Sequence, residues 1–289
     1  VAEISAKAVK ELREQTGAGM MDCKRALSEA DGDLKKAVEV LRERGLAKAG
    51  KREGRATSEG IIAIALAGPA GGMIELGCET DFVARTDDFI ALGDALAKIV
   101  ADDPSSASKE TLLAASSDGQ SVSERITAAI AKLGENVELK RVARIEVEKG
   151  VAGGYVHAGG KLGVLVGLAT DKSGPEVESL AKDLSMHVAA ADPSPVAVTR
   201  DGVSQALLAE EREIYRKQAL QEGKPEKVID RIVEGKLNKF LSEISLVDQP
   251  FVKDPDKSVG ELLDGVGDVS VVGFERFKLG EKTGEEAGE

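Results

Sequence analysis

The chain has 289 residues, enough to bury a sizeable core in two or three domains. It is 42% hydrophobic and 31% charged, with a formal net charge of -12 and a sequence pI near 4.9; this balance disfavours direct nucleic-acid binding, which calls for a basic face, and favours a protein partner or a small ligand. No apolar run is long enough to span a membrane, the first residues lack the basic-then-apolar layout of a secretory signal, and two cysteines with two histidines are too few for a disulfide framework or an evident zinc site. A cytoplasmic protein with reduced, structural Cys23 and Cys78 and no metal or cofactor is expected.

Residues 1–54 read as three short helices. Ile4 before Ser5 resembles a hydrophobic staple and N-cap for a helix through Val9 and Leu12 that ends near Gly17. Met20, Cys23, Leu27 and Ala30 are spaced for the inward face of a second helix, which Asp31-Gly32 would close, leaving Met21 and Lys24 outward. Asp33 caps a third, with Leu34, Val38 and Leu41 inward and Gly45 as its stop. A basic linker follows, with Lys48, Lys51, Arg52 and Arg55. Within it, Gly45 to Lys51 matches the spacing of a phosphate-binding loop, but Arg52 stands where Ser or Thr would hold magnesium and no strand precedes it, so a nucleotide site is rejected.

From Glu59 the signals turn to strands: 61–67 and 73–76 read as a hairpin around a five-residue loop, Gly68 to Gly72. Gly77-Cys78-Glu79-Thr80-Asp81-Phe82-Val83 ends the hairpin, and the following helix, from about 87 to 101, has its own cap in Thr86 with Asp87 and Asp88 in the first turn. Asp81 and Phe82 therefore fall in a loop and are free to point outward. A lone Phe in a loop usually folds back into the core, but aromatics make up only 3% of this chain, and an acid beside an aromatic in a short connection suits binding. A polar stretch, 102–119, leads to a helix over 123–133 stopped by Gly134 and a strand over 137–147. The order then recurs: strands at 151–155 and 162–169 around His157 to Lys161, and a helix from 175 to about 190. Two long charged helical patterns, 203–222 and 225–241, follow Pro193 and Pro195; their stripes, Leu207 and Ile214, then Val228, Ile232 and Leu237, suit an antiparallel hairpin arm. A short helix from Val259 and a closing strand over 269–277 complete a second half, and the acidic tail from Gly280 is expected to be disordered.

No catalytic constellation is present: there is no Gly-x-Ser-x-Gly, no His-Glu-x-x-His and no dinucleotide fingerprint after a strand. His187, in an apolar helix, reads as structural, and His157, in a hairpin loop, as exposed. Three loops look like contact points instead: Asp81-Phe82, the His157 tip and Pro250-Phe251-Val252, although a Phe after Pro often packs back onto a sheet.

Five segments carry a specific resemblance: Thr16 through Lys24 (TGAGMMDCK), Cys78 through Ala84 (CETDFVA), Met186-His187-Val188-Ala189-Ala190, Glu234-Gly235-Lys236, and Gln249-Pro250-Phe251-Val252. In this order, from the first helix to the last strand, they resemble the elongation factor Ts family. The resemblance implies a guanine-nucleotide exchange factor for elongation factor Tu, met both GDP-bound and nucleotide-free. It implies an α+β fold: a ubiquitin-associated-like three-helix bundle (1–54), a core of two related α/β subdomains with small antiparallel sheets (55–148, then 149–192 with 242–280), an inserted helical-hairpin dimerisation module (193–241) and an acidic tail (281–289). By the same resemblance Thr80, Asp81, Phe82 and Val83 would dislodge the partner's magnesium, with Phe82 as a wedge. Met20, Met21, Lys24, Arg52, Leu133, Gly134, His157, and Val252 with the adjoining Phe251 would supply further contacts. Lys253 departs from members that carry an apolar residue after the valine. The arm's stripe could be satisfied within its own hairpin or by a second copy. An adaptor that binds without altering exchange is the alternative, disfavoured by the intact Thr80-Asp81-Phe82-Val83; a small-molecule enzyme with glycine-rich hairpins as a binding lip has only those glycines behind it.

Overall fold

The structure, a computed structural model, describes residues 4–117 and 119–281; the acidic tail beyond Glu281 lies outside the described residues. Three helices open the chain: α1 (Ala6–Thr16), α2 (Met20–Glu29) and α3 (Leu34–Gly50). Ser5 caps α1, Asp33 caps α3, and Gly17 ends α1 in the left-handed region, as the sequence predicts. Val9, Leu12, Cys23, Ala26, Leu27 and Ala37 make the small core. Two expectations fail here. Met20, at the first position of α2, precedes the turn that meets the core and is 60% exposed, while Ala26 takes the inward place. Gly45 does not stop α3. The helix runs on to Gly50 because Gly45 is buried against the helix over Val122–Leu133, where a β-carbon would lie 3.6 Å from that of Ala131. Helical backbone over this segment also removes any phosphate-binding loop at 45–50.

The core begins with β1 (Glu59–Ala67) and β2 (Ala70–Cys78). Their register pairs Ala67 with Ala70, so the connection is the two-residue turn Gly68-Pro69 rather than a five-residue loop. Ala70, Gly71 and Gly72 are strand residues. The helical turn α4 (Asp81–Ala84) and the helix α5 (Asp87–Asp102) follow. α5 lies so close to β2 that a β-carbon on Gly72 would fall 2.5 Å from the backbone of Ala97 and Ala101, which accounts for glycine there as packing rather than turn chemistry. The polar stretch is itself ordered: α6 (Lys109–Ala114), capped by Ser108, buries Leu112, and the tiny ladder β3 (Ser116–Ser117) with β4 (Gln120–Ser121) leads into α7 (Val122–Leu133). β5 (Val137–Glu146) then pairs antiparallel with β2, giving the sheet order β1-β2-β5.

The second half repeats the plan. β6 (Gly150–Val156), β7 (Leu162–Thr170) and α8 (Pro175–Ala190) form the hairpin and its helix. The arm, α9 (Gln205–Gln221) and α10 (Glu226–Ile244), projects next. The chain returns through β8 (Pro250–Phe251), β9 (Asp254–Ser258) and α11 (Val259–Val266) to β10 (Val269–Lys278), which pairs with β7 in the order β10-β7-β6. Alternation along the strands sends Ile61, Ala63, Ile74 and Leu76 toward α5 and Ile62, Met73, Leu165 and Phe277 into the space between the two sheets. The layers therefore run helix, sheet, sheet, helix. The buried Glu75 lies on the inter-sheet side of β2, paired with Arg141 at 2.6 Å, and Arg141 stacks over Phe277 at 4.3 Å. In the arm the inner row is Tyr215 and Ala219 against Ile229, Val233 and Leu237, with the expected Ile232 packed beside them; Ile214 and Val228 lie one position off that row. No helix among the described residues is long and apolar enough to cross a membrane.

Candidate partner-binding site

The site is built where β2 stops. Thr80 leaves the strand with extended backbone and caps α4, its hydroxyl accepting from the Val83 amide at 3.4 Å. Phe82 therefore sits on a one-turn helix instead of an open loop. Within that turn Val83 and Ala84 point into the core beneath α5, which leaves Asp81 and Phe82 outside; Phe82 is 81% exposed. Asp81 pairs with Arg85 at 3.0 Å. Cys78, buried at the strand end, points its thiol at the Thr80 carbonyl at 3.2 Å, and burial pushes its pKa up to about 12, so it is an inert neighbour and not a nucleophile.

Two carboxylates tie the turn to the segment that follows α7, one from each side. Glu135 accepts from the Thr80 amide at 2.9 Å and from the Thr80 hydroxyl at 2.6 Å. Glu79 reciprocates, accepting from the Asn136 amide at 2.7 Å. That amide, followed by Arg55, holds the Glu79 carboxyl below the ordinary carboxylate range. The residues next to Glu135 are Leu133, half-buried against the core, and the exposed Gly134, which ends α7 in the left-handed region. The bracing therefore brings Thr80 to Val83 together with Leu133-Gly134. Sequence reasoning missed Glu135 and Glu79 as supports: a carboxylate after a helix-ending glycine carries no signal of a partner 55 residues away.

The bundle meets the same edge. Lys132, one residue before Leu133, bonds Asp88 at the start of α5 at 2.7 Å, and its stem passes 3.5 Å from the β-carbon position of Gly17. The turn Gly17 to Gly19 leads directly into α2, where Met20 and Met21 are 60% and 63% exposed and Lys24 is exposed beside them. Two thioether side chains held in water at the start of a helix suit an adaptable apolar contact. Lys48 and Asp22 at 3.0 Å and the Arg42–Glu124 ion pair further join the bundle to itself and to α7. Arg52 follows α3, half-buried, with its Nε buried and without a hydrogen-bond partner.

Two of the expected contacts come from the second half of the chain. His157 is exposed at the β6–β7 tip, its Nδ1 2.9 Å from the Tyr155 hydroxyl. The loop is held by the Ile62 amide donating to the Gly160 carbonyl at 2.7 Å and by Lys161 with Glu59 at 2.7 Å. Val252, 40% exposed, occupies the turn between β8 and β9. Its neighbour Phe251 does not share that exposure: at 5% it is packed with Val164, Val166 and Leu184, its ring 5.9 Å from that of His187. Phe251 is a core residue and drops out as a surface contact. Lys253 pairs with Asp183 at 2.6 Å, which turns its charge back onto α8. Among the described residues no cluster of His, Cys, Asp or Glu is arranged to hold a metal.

Comparison with known proteins adds an independent line. The profile of the family described as Elongation factor TS matches residues 79–281. The chain is 47% identical over 286 residues to Elongation factor Ts of Clostridium botulinum (strain Alaska E43 / Type E3), with 96% of this chain and 93% of that protein covered. It is 47% identical to the protein of the same name from Clostridium acetobutylicum and 46% identical to that from Clostridium perfringens (strain SM101 / Type A), at the same coverage.

Proposed function

The chain belongs to the elongation factor Ts family of translation elongation factors, and from that premise we propose that it is the guanine-nucleotide exchange factor of elongation factor Tu. It binds the GDP-bound GTPase, disturbs the magnesium and phosphate site, and promotes GDP release so that GTP can enter, with no bond chemistry of its own. The observation that carries this reading is the presentation of Phe82: a large aromatic side chain, 81% exposed, on a capped turn tied to Glu135.

Holding an aromatic in water is unfavourable unless something covers it, and burying it in an apolar pocket returns roughly 1.5–3 kcal/mol. That gain is available only in the complex, so it can offset distortion of the partner. Magnesium neutralises phosphate charge, and a wedge that shifts its coordination weakens the hold on GDP. A thousandfold faster release requires about 4 kcal/mol off the barrier, more than one ring supplies. Met20, Met21, Lys24, Leu133, Gly134, Arg52, His157 and Val252 are the proposed remaining contacts, the first six on or near the Phe82 edge and the last two on the second half. Exchange by this route is reciprocal: a factor that weakens GDP binding is weakened by GDP, so incoming nucleotide displaces it.

Stopped-flow release of a fluorescent GDP from elongation factor Tu tests the reading, with this protein, with Phe82→Ala and with neither. Acceleration by the native chain that the variant loses while still binding supports a wedge. Binding without acceleration by the native chain leaves an adaptor, and equal acceleration by both removes Phe82 from the centre.

A further inference from the structure

His187 is 1% exposed in α8, too deep to meet a partner, yet both nitrogens of its ring are engaged. Nδ1 lies 3.2 Å from the backbone nitrogen of Val252, and Nε2 lies 3.0 Å from Oε1 of Gln249. A backbone amide only donates, so Nδ1 must be the bare, accepting nitrogen, and the proton of the neutral ring is on Nε2, donating to Gln249. The orientation of Gln249 is fixed separately. Its Nε2 faces two carbonyls, Pro193 at 2.9 Å and Glu243 at 2.6 Å, which only accept. Four hydrogen bonds thus agree on one protonation state and one amide orientation, with no polar atom of either side chain idle.

These bonds join distant parts. Pro193 follows α8, Glu243 is in the last turn of α10, and Val252 is the turn between β8 and β9. We propose that His187 is a positioning residue: it holds the exposed Val252 turn in place through Nδ1 and, through Gln249, ties that turn to the root of the helical arm. The inference rests on the reading of Val252 as a partner contact for its functional consequence, though not for the positioning itself. A side chain that merely filled the core would need no acceptor facing Val252, and the Phe251 ring already supplies apolar bulk beside it. Protonation at Nδ1 would set a donor against a donor and release the turn. The ring's hydrogen-bond partners are Gln249 and the Val252 amide; Asp183, one helical turn earlier on α8, is paired with Lys253 at 2.6 Å.

The test uses the full chain. Long-range proton–nitrogen spectra should show His187 as the neutral Nε2–H tautomer; an Nδ1–H tautomer overturns the proposal without any variant. Amide exchange at Val252 is then compared in the native chain, in His187→Asn, whose amide oxygen can take the place of Nδ1, and in His187→Gln, which reaches toward Gln249 and leaves Val252 without an acceptor. Exchange at Val252 about fivefold or more faster in His187→Gln but near native in His187→Asn, with Leu180 and Leu184 of α8 unchanged, supports positioning; equal exchange in all three overturns it. Affinity for nucleotide-free elongation factor Tu, measured alongside for these variants and for Val252→Ala, separates the two readings: faster exchange in His187→Gln with no loss of affinity in Val252→Ala upholds the positioning and removes Val252 as a contact.

Discussion

The two halves of the core share a frame and differ in their connections. In each, a hairpin precedes a helix that covers it, and a later strand pairs antiparallel with the second strand of the hairpin: β5 with β2, β10 with β7. In each, a strand glycine lets the helix settle onto the sheet. A β-carbon on Gly72 would meet the backbone of Ala97 and Ala101 at 2.5 Å, and one on Gly153 would meet Ala181 at 2.5 Å. The link from second strand to helix is where they part. In the first half it carries a capped turn with Phe82 outward and two carboxylates bracing it. In the second it is the plain polar run Asp171-Lys172-Ser173-Gly174. Later connections diverge as well, α6 and α7 in one case, the long arm in the other. The frame supplies rigidity twice, and the proposed contact at Phe82 lies in what joins its pieces.

The largest test of that division strikes the shared frame. Gly72→Ala and Gly153→Ala should each cost about 3 kcal/mol in urea unfolding, because the added methyl meets helix backbone that cannot turn aside; a loss confined to one half would break the equivalence. Next comes the divergent link. Phe82→Ala should slow partner GDP release by an amount corresponding to about 2 kcal/mol, while stability stays within about 0.5 kcal/mol of native, as for an exposed side chain. A matching fall in stability would mean that Phe82 belongs to the frame. Glu135→Gln should have a smaller effect, about 1 kcal/mol, since one of the two bonds to Thr80 loses its acceptor; it should appear in both stability and exchange, measured on the same samples.

The smallest effect distinguishes the halves by pH. Both histidines, His157 and His187, belong to the second half. Burial, partly opposed by the bond to Gln249, holds the His187 pKa below its ordinary 6.5. The unfolded chain therefore takes up a proton on this group before the folded chain does. The stability it contributes is present in full above about pH 6.5 and is lost as pH falls from there through the lower folded value, with a slope of at most one proton. Thermal unfolding of the native chain and of His187→Asn across that window should differ in slope on the acid side and agree above it.

Periodicity and caps make much of this legible in the sequence: Ser5, Asp33 and Thr86 cap their helices, and Gly17 and Gly134 end theirs. The misreadings share a cause, since each used a local signal where a distant neighbour decides. Gly45 looks like a stop but is a contact with α7, and Gly71 and Gly72 look like a loop but lie in a strand under a helix. Phe251 and Val252 are adjacent yet one is core and the other exposed, because Phe251 ends β8 against the core and Val252 begins the turn that follows. Asp81-Phe82 could be seen as outward from composition and flanking caps. The supports of that turn could not, nor could the Gln249 side of His187, since nothing in a linear pattern marks a glutamine 62 positions away.

The bracing of Thr80 by Glu135 has a consequence in time. While the chain is being synthesised, residues 78–84 leave the ribosome more than fifty positions ahead of the carboxylate that anchors them, and until β5 has joined β2 the aromatic has no fixed support. The nascent chain thus emerges with Phe82 already out but without the carboxylate that ties down its turn, and the rigid presentation of the ring arrives only with completion of the first sheet.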